Sequence, residues 1–286
     1  MTAPKTTVGQ TLAQAGTQGL DRLDAQMLLL HALGRPTNQR AWLLSHDTDP
    51  LPDGAQALFD ALVQRRLQGE PMAYLTGEQE FFGLMLRVDT RVLVPRADTE
   101  TLVEWALDVL HSAPAGGTGA KVLDLGTGSG AIALAVQSAC PGVRTSATDA
   151  SPQALAVAKA NAERLRLPVE FFEGHWFDAV PGRCFDLIVS NPPYIAEHDP
   201  HLPALTHEPI SALTAGLDGL DDLRHIIDAA ASGSLSPGGW LLLEHGYDQA
   251  AAVRALLQAA GFEQVSSRRD IAGIERCSGG CWRQGR

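Results

Sequence analysis

Apolar positions in the first quarter of the chain recur at helical spacing. Leu20, Leu23, Met27, Leu28 and Leu30 form one stripe, and Gly34-Arg35-Pro36 stops it. Leu58, Leu62, Val63 and Leu67 form another, entered through Pro52-Asp53 and closed by Gly69. Short helices joined by polar turns predict a small bundle over residues 1–70. Residues 71–95 change character: Phe81-Phe82, Leu84, Leu86, Val88 and Val92-Leu93-Val94 predict a β-hairpin that links two domains. From residue 96 to 286 helical and strand-like runs alternate. The expected elements are a helix over Asp98–His111, a strand over Lys121–Leu125, and a helix over Ser129–Ala139. They continue as a strand over Val143–Thr148, a helix over Pro152–Leu165, and strands over Val169–Glu173 and Phe185–Ser190. A long loop from Ile195 to about Gly219 breaks the rhythm, and its length points to function. A helix over Leu220–Ala231, a strand over Trp240–Glu244, a helix over Gln249–Ala260 and strands near Val265 and Cys277 complete the chain.

This alternation predicts an α/β fold with a mostly parallel, doubly wound, Rossmann-like sheet. Two closing strands without an intervening helix make the last one antiparallel. A length of 286 residues allows one large domain or two.

Composition narrows the partners. A formal net charge of -11 argues against tight nonspecific nucleic-acid binding, which needs Lys and Arg to neutralise phosphates. No apolar run approaches the length of a membrane span, and Met1–Gln10 lacks the layout of a secretory signal. Cys140, Cys184, Cys277 and Cys281 are scattered and fit no disulfide scaffold. They read as reduced thiols of a cytoplasmic protein, with no metal site expected. Nothing demands a dimer, so a monomer is expected.

Candidate chemistry gathers where strands end. Asn191-Pro192-Pro193-Tyr194 follows the run Phe185–Ser190. Two prolines remove two backbone donors and fix two φ angles, so the chain leaves the strand stiffly. An asparagine side chain, a free proline carbonyl and an aromatic ring remain. Together they suit a planar NH2 group, with two acceptors in its plane and a ring on its face. The same residues also fit a plain proline-rich turn that ends a strand.

Upstream, Gly126-Thr127-Gly128-Ser129-Gly130 follows a strand and opens a helix, so the backbone can pass close to a ligand. Asp149 ends the next strand, where a carboxylate can accept the hydroxyls of a ribose. Trp176 falls past the third strand, placed either to flank an adenine or to fill the core. The glycine loop also satisfies the dinucleotide fingerprint through Gly126, Gly128 and Ala131. Against a dinucleotide stand Asp124, which would repel a pyrophosphate, and the lack of a second mononucleotide-binding half. The position of Asn191 at the same sheet edge also counts against it. A sulfonium cofactor tolerates such carboxylates. Asp124 itself reads equally well as a loop-ordering acceptor or as a direct contact.

With these pieces placed, the chain resembles the bacterial protein-(glutamine) methyltransferases that modify peptide-chain release factors. The resemblance runs nearly the whole length, through Pro71–Gly77, Phe81-Phe82-Gly83, Val94–Glu100, Asp124–Gly130, Asn191–Tyr194, His207-Glu208-Pro209 and Ala215–Leu220. It departs from the family at Ala97, where proline is usual, and at His175, where an acidic residue is usual. The resemblance implies an N-terminal helical bundle that recognises substrate, and a class I methyltransferase domain using S-adenosyl-L-methionine and releasing S-adenosyl-L-homocysteine. It implies as substrate the glutamine of the Gly-Gly-Gln motif in class 1 release factors. By the same carry-over, Gly126, Thr127, Gly128, Ser129, Gly130, Asp149, Trp176 and Asn191 contact the cofactor. Asn191, Pro192, Pro193 and Tyr194 hold the glutamine, with Asn191, Pro192 and Tyr194 serving the transfer. Glu208 and Glu244, near the same edge, read as solvated or structural. Two other readings stay open: an exocyclic amino-methyltransferase acting on adenine or guanine in nucleic acid, and a non-catalytic module that keeps the fold.

Overall fold

The Thr7 hydroxyl accepts from the Gln10 amide while the Gln10 side chain accepts from the Thr7 amide. This reciprocal cap starts helix α1 (Val8–Thr17) and satisfies two amides that a helix end leaves open. The computed structural model describes residues 6–283. Residues 1–5, part of the stretch that shows no secretory layout, lie outside the described residues. The chain divides into two units, one ending at Glu78 and the other starting at Gln79.

In the first unit α1 is followed by α2 (Arg22–Ala32), α3 (Arg40–Ser45), α4 (Ala55–Leu67) and α5 (Met72–Thr76). Asp21 caps α2 by accepting from Leu23 and Asp24. Leu28, Leu29, Leu30, Phe59, Leu62, Val63 and Leu75 form the core of this unit. Leu23, Leu58 and Leu67, expected in the apolar stripes, are instead 43%, 46% and 42% exposed. The helical phase turns Ala25, Leu28 and Leu29 inward on α2, and Phe59, Leu62 and Val63 inward on α4.

A hairpin of β1 (Glu78–Phe81) and β2 (Leu84–Arg87) starts at the last residue of the first unit and opens the second. Its turn residues Phe82 and Gly83 both have positive φ, 49° and 76°, the twist that a two-residue hairpin turn needs. Val92-Leu93-Val94 forms no strand. The segment runs on to a short turn at Ala97–Thr99 and then α6 (Glu100–Ser112), so the Ala97 departure leaves the helix start ordered. The rest alternates: β3 (Lys121–Leu125), α7 (Ala131–Ala139), β4 (Arg144–Asp149), α8 (Pro152–Leu165), β5 (Val169–Glu173) and β6 (Phe185–Ser190). After the long loop come α9 (Asp221–Ala229), β7 (Leu235–Glu244), α10 (Ala250–Ala259), β8 (Glu263–Arg269) and β9 (Glu275–Cys281).

The seven-stranded sheet has the order β5-β4-β3-β6-β7-β9-β8. β3 to β7 pair in parallel, and β9 runs antiparallel to both β7 and β8. Successive side chains of a strand face opposite sides, so Val122 joins the core shared with α6, α7 and α8, while Leu123 and Leu125 join the core shared with α9 and α10. Both faces are covered, which is why the parallel strands read as continuous apolar runs.

Candidate active site

Register builds the site. Leu125 of β3 pairs with Thr148 of β4 and with Ser190 of β6, and Asp149 pairs with Glu173 of β5. The residues that follow these pairs, Gly126, Asp149, Gly174 and Asn191, therefore leave the sheet side by side. The strand order reverses between β3 and β6, the crevice where open α/β sheets bind ligands. Ser190 Oγ donates to the Leu125 carbonyl at 2.7 Å and fastens the two strand ends together.

Gly126 has φ +70°, and a Cβ there would stand 3.1 Å from Cζ3 of Trp176. Glycine is thus required twice, by backbone conformation and by the indole against it. Gly130 heads α7 at φ +85°, where a Cβ would meet Leu134 at 3.0 Å and Ala158 at 3.3 Å. Its bareness lets α7 and α8 approach. Asp149 accepts from the Gly128 amide on one oxygen (2.8 Å) and from the Ser151 amide on the other (2.9 Å), and burial pushes its carboxyl above the usual range.

Asp124 is 1% exposed. Its Oδ2 accepts from Thr127 Oγ1 (2.6 Å) and from the Ala133 amide (3.1 Å), which orders the loop; its Oδ1 has no partner. Burial pushes this carboxyl up to about 7, and the Asp149 charge adds to the rise.

A cavity of about 390 Å³ opens at this edge. Gly126, Gly128, Asp149, Trp176, Asn191 and Pro193 all line it, so six residues singled out in the sequence meet around one space. Five others do not line it. Thr127 bonds Asp124, and the Ser129 carbonyl accepts from Asn161. Gly130 starts α7, Pro192 is buried beneath the motif, and the half-buried Tyr194 donates its hydroxyl to Glu244 Oε1 at 3.3 Å. Trp176 both lines the cavity and belongs to the α9–α10 core. His175 lines the cavity too, with its ring edge-on to Trp176. A larger cavity of about 790 Å³, bounded by Trp105, Trp240 and Arg268, lies at the opposite end of the strands and contains none of these residues.

Several site residues escaped sequence reasoning. Thr90–Leu93 and Pro209, Ser211 and Ala212 wall the cavity, and Asp222 reaches it from α9. Glu208 and Glu244 are not solvated: they are 7% and 1% exposed. Glu208 accepts from the Val94 amide at 3.0 Å and from the Arg96 guanidinium, tying the long loop to the segment before α6. Asn191 Nδ2 donates to Thr99 Oγ1 at 3.3 Å. The resemblance already spanned Val94–Glu100 and His207–Pro209, but nothing in the sequence pairs them.

The donor set fits S-adenosylmethionine. A paired carboxylate at Asp149 faces the cavity, glycine backbone and a half-orphaned carboxyl at Asp124 crowd the loop, and an indole closes one side. Among the described residues, Arg91, which is held by Asp89, is the one lysine or arginine that lines the space beside the glycine loop. These features define a class I S-adenosylmethionine-dependent methyltransferase. Consistent with this, residues 103–218 match the methyltransferase small domain, and residues 6–77 match the PrmC N-terminal domain. A methyltransferase structure from Pyrococcus furiosus shares the fold, with a TM-score of 0.55 at 19% identity over 77% of this chain and 98% of that one.

The release factor glutamine methyltransferase of Bordetella pertussis is 53% identical over 265 residues, covering 92% of this chain and 95% of that protein. Its counterpart in Xylella fastidiosa is 50% identical over 272 residues, covering 94% and 96%. The chain belongs to the release factor glutamine methyltransferase family.

Proposed function

We propose that this protein transfers a methyl group from S-adenosylmethionine to the side-chain amide nitrogen of the glutamine in the Gly-Gly-Gln motif of class 1 release factors. The observation that carries this reading is the register of β3 against β6, which sets Asn191 beside the glycine loop in one cavity. When bound, the cofactor supplies an electrophilic methyl on a positively charged sulfur.

The residues of the chain do the rest by binding and orientation. Gly126, Gly128, Asp149 and Trp176, which line the cavity, hold the cofactor, and Thr127, Ser129 and Gly130 shape the loop behind them. An amide nitrogen is a weak nucleophile because its lone pair is delocalised into the carbonyl. Asn191 Oδ1, which has no protein donor among the described residues, and the Pro192 carbonyl accept the two amide hydrogens. They turn the nitrogen toward the methyl and stabilise the positive charge that grows there. Pro193 and Tyr194 wall the amide from water. The N–C bond forms as the S–C bond breaks, and the methylated amide, a strong acid once the nitrogen has spent its lone pair, gives its surplus proton to solvent water. No side chain of the motif is a general base, so alignment supplies the rate.

The helical unit that ends at Glu78 recognises the substrate protein in this reading. The hairpin of β1 and β2 follows it and leads through residues 88–95 into the methyltransferase domain, residues 96–286. We place the protein in the cytoplasm as a monomer with no direct nucleic-acid contact. The net charge of -11 supports this, and among the described residues no helix is long and apolar enough to cross a membrane. Mass spectrometry of a release factor after reaction tests the proposal: one added methyl on the Gly-Gly-Gln glutamine is expected. An unmodified release factor alongside methylated RNA would overturn it.

A further inference from the structure

The long loop leaves the sheet at Tyr194 and returns at Gly219, and its two ends meet. Ile195 donates its amide to the Leu213 carbonyl at 2.9 Å, and Ala215 donates back to the Ile195 carbonyl at 3.0 Å. Glu197 donates to the Gly216 carbonyl at 3.0 Å. At Gly219 the two ends touch. A Cβ there would stand 2.2 Å from the Tyr194 carbonyl oxygen, and φ is +71°, so only glycine fits the crossing. One side chain from outside the loop reaches both ends. Gln249 Nε2 donates to the Tyr194 carbonyl at 3.0 Å, and to the Asp218 and Gly219 carbonyls at 3.3 and 3.4 Å.

Gln249 is itself held in place. It is the N-cap residue of α10, and its backbone amide donates to the Gly246 carbonyl at 3.1 Å. Its side-chain Oε1 accepts from the Gly246 amide at 2.8 Å. A Cβ on Gly246 would stand 3.0 Å from that oxygen, so the bare residue lets the amide lie close on the turn after β7. The fully buried His245 fastens this turn to β9: its Nδ1 donates to the Gly246 carbonyl at 2.9 Å, and its Nε2 accepts from Ser278 Oγ at 2.8 Å. Donor inventory then fixes the Gln249 amide. A backbone N–H can meet only its oxygen, and carbonyls can meet only its NH2. The flipped amide would set donor against donor at Gly246 and oxygen against oxygen at the loop ends.

We infer that Gln249 is a positioning residue whose single amide ties both ends of the long loop to the end of β7 and so sets the main chain of Tyr194. This rests on the reading of Asn191–Tyr194 as the holder of the substrate amide. Pro192 and Pro193 stiffen that stretch, so a shift at the Tyr194 carbonyl is passed on to the Pro192 carbonyl and Asn191 instead of being absorbed. The same tie steadies the cavity wall, because Pro209, Ser211 and Ala212 lie between the clamped ends. The residues that hold the cofactor follow or end β3, β4 and β5, outside the clamp.

The test measures single-turnover methyl transfer by the full-length protein above neutral pH, with release factor and S-adenosylmethionine saturating. Rates are normalised to cofactor sites counted by calorimetry, so misfolded molecules drop out. Gln249→Glu keeps the shape and the acceptor for the Gly246 amide, but turns a carboxylate oxygen on the loop carbonyls. Gln249→Leu removes both interactions. Each should slow transfer about 10- to 100-fold, the scale of a small misplacement of reacting groups. Cofactor Kd should stay within about 3-fold of wild type, because the effect lies in the transfer step. Gly219→Ala, which wedges the loop ends apart from the other side, should slow transfer in the same way. Transfer by Gln249→Glu at the wild-type rate, with Asn191→Ala slow, overturns the inference and leaves the motif reading standing, because Gln249 would then merely cap the turn after β7. Cofactor Kd weakened as far as transfer is slowed also overturns it. If Asn191→Ala runs at the wild-type rate, the motif reading and the inference fall together.

Discussion

Glu244 turns a buried site into a measurable pH dependence. Its carboxyl is pushed from the usual 4.5 up to about 7, chiefly by burial, with Thr99, Arg276 and Tyr194 pulling it back down. The folded state holds this proton up to about pH 7, whereas the unfolded chain releases it near 4.5. Between those values the folded state binds more protons, so this group's contribution to stability falls as pH rises through the window. At about 1.36 kcal/mol for each unit of displacement, ionising Glu244 costs the folded state no more than about 3 kcal/mol. Glu244→Gln keeps the shape and removes the ionisation. Urea unfolding followed by tryptophan fluorescence should give wild type and variant nearly equal stability at low pH. Above neutral pH the variant should be more stable by up to about 3 kcal/mol. Asp124, with its carboxyl also pushed up to about 7, adds a slope of the same sign to both proteins and cancels in the difference. A variant less stable than wild type above neutral pH but equal to it at low pH would refute the reasoning, because Glu244 would then be a well-paired anion.

Other perturbations follow from the same geometry. Gly126→Ala forces a Cβ to 3.1 Å from Trp176 at φ +70°. It should cost about 1–2 kcal/mol in thermal unfolding and weaken cofactor binding at least about 10-fold in calorimetry. Asp149→Asn leaves one of the Gly128 and Ser151 amides facing an NH2. It should raise cofactor Kd about 10- to 100-fold while affecting kcat at saturation less. Glu208→Ala strips the buried Val94 amide of its acceptor. It should lower stability by about 1–3 kcal/mol in urea unfolding and raise the apparent KM for release factor, because the loop wall at Pro209–Ala212 loosens.

The legible part of this protein was its strand ends. Buried parallel strands are short apolar runs, and each stops where chemistry begins, at Gly126, Asp149 and Asn191. Periodicity alone therefore sets these residues at one sheet edge. Helical phase was less legible. Leu23, Leu58 and Leu67 fit a stripe by spacing alone yet face outward, because which arc of a helix is covered depends on its neighbours. Least legible was the polar support. Asn191 and Thr99 are 92 residues apart, Tyr194 and Glu244 are 50 apart, and Val94 and Glu208 are 114 apart. Such pairs arise only when the sheet closes, so the sequence leaves Glu244 and Glu208 open between solvated and structural carboxylates, and only their burial decides for structural. Trp176 shows the limit of an either-or reading: packed under Gly126, it is core and cavity wall at once.

We propose that Asn191 orients the glutamine amide for transfer without a base. Single-turnover methylation by Asn191→Ala, with cofactor affinity measured on the same preparation, addresses it most directly. The expected result is a transfer rate lowered about 100-fold or more, with cofactor binding weakened far less. Transfer at the wild-type rate would contradict it.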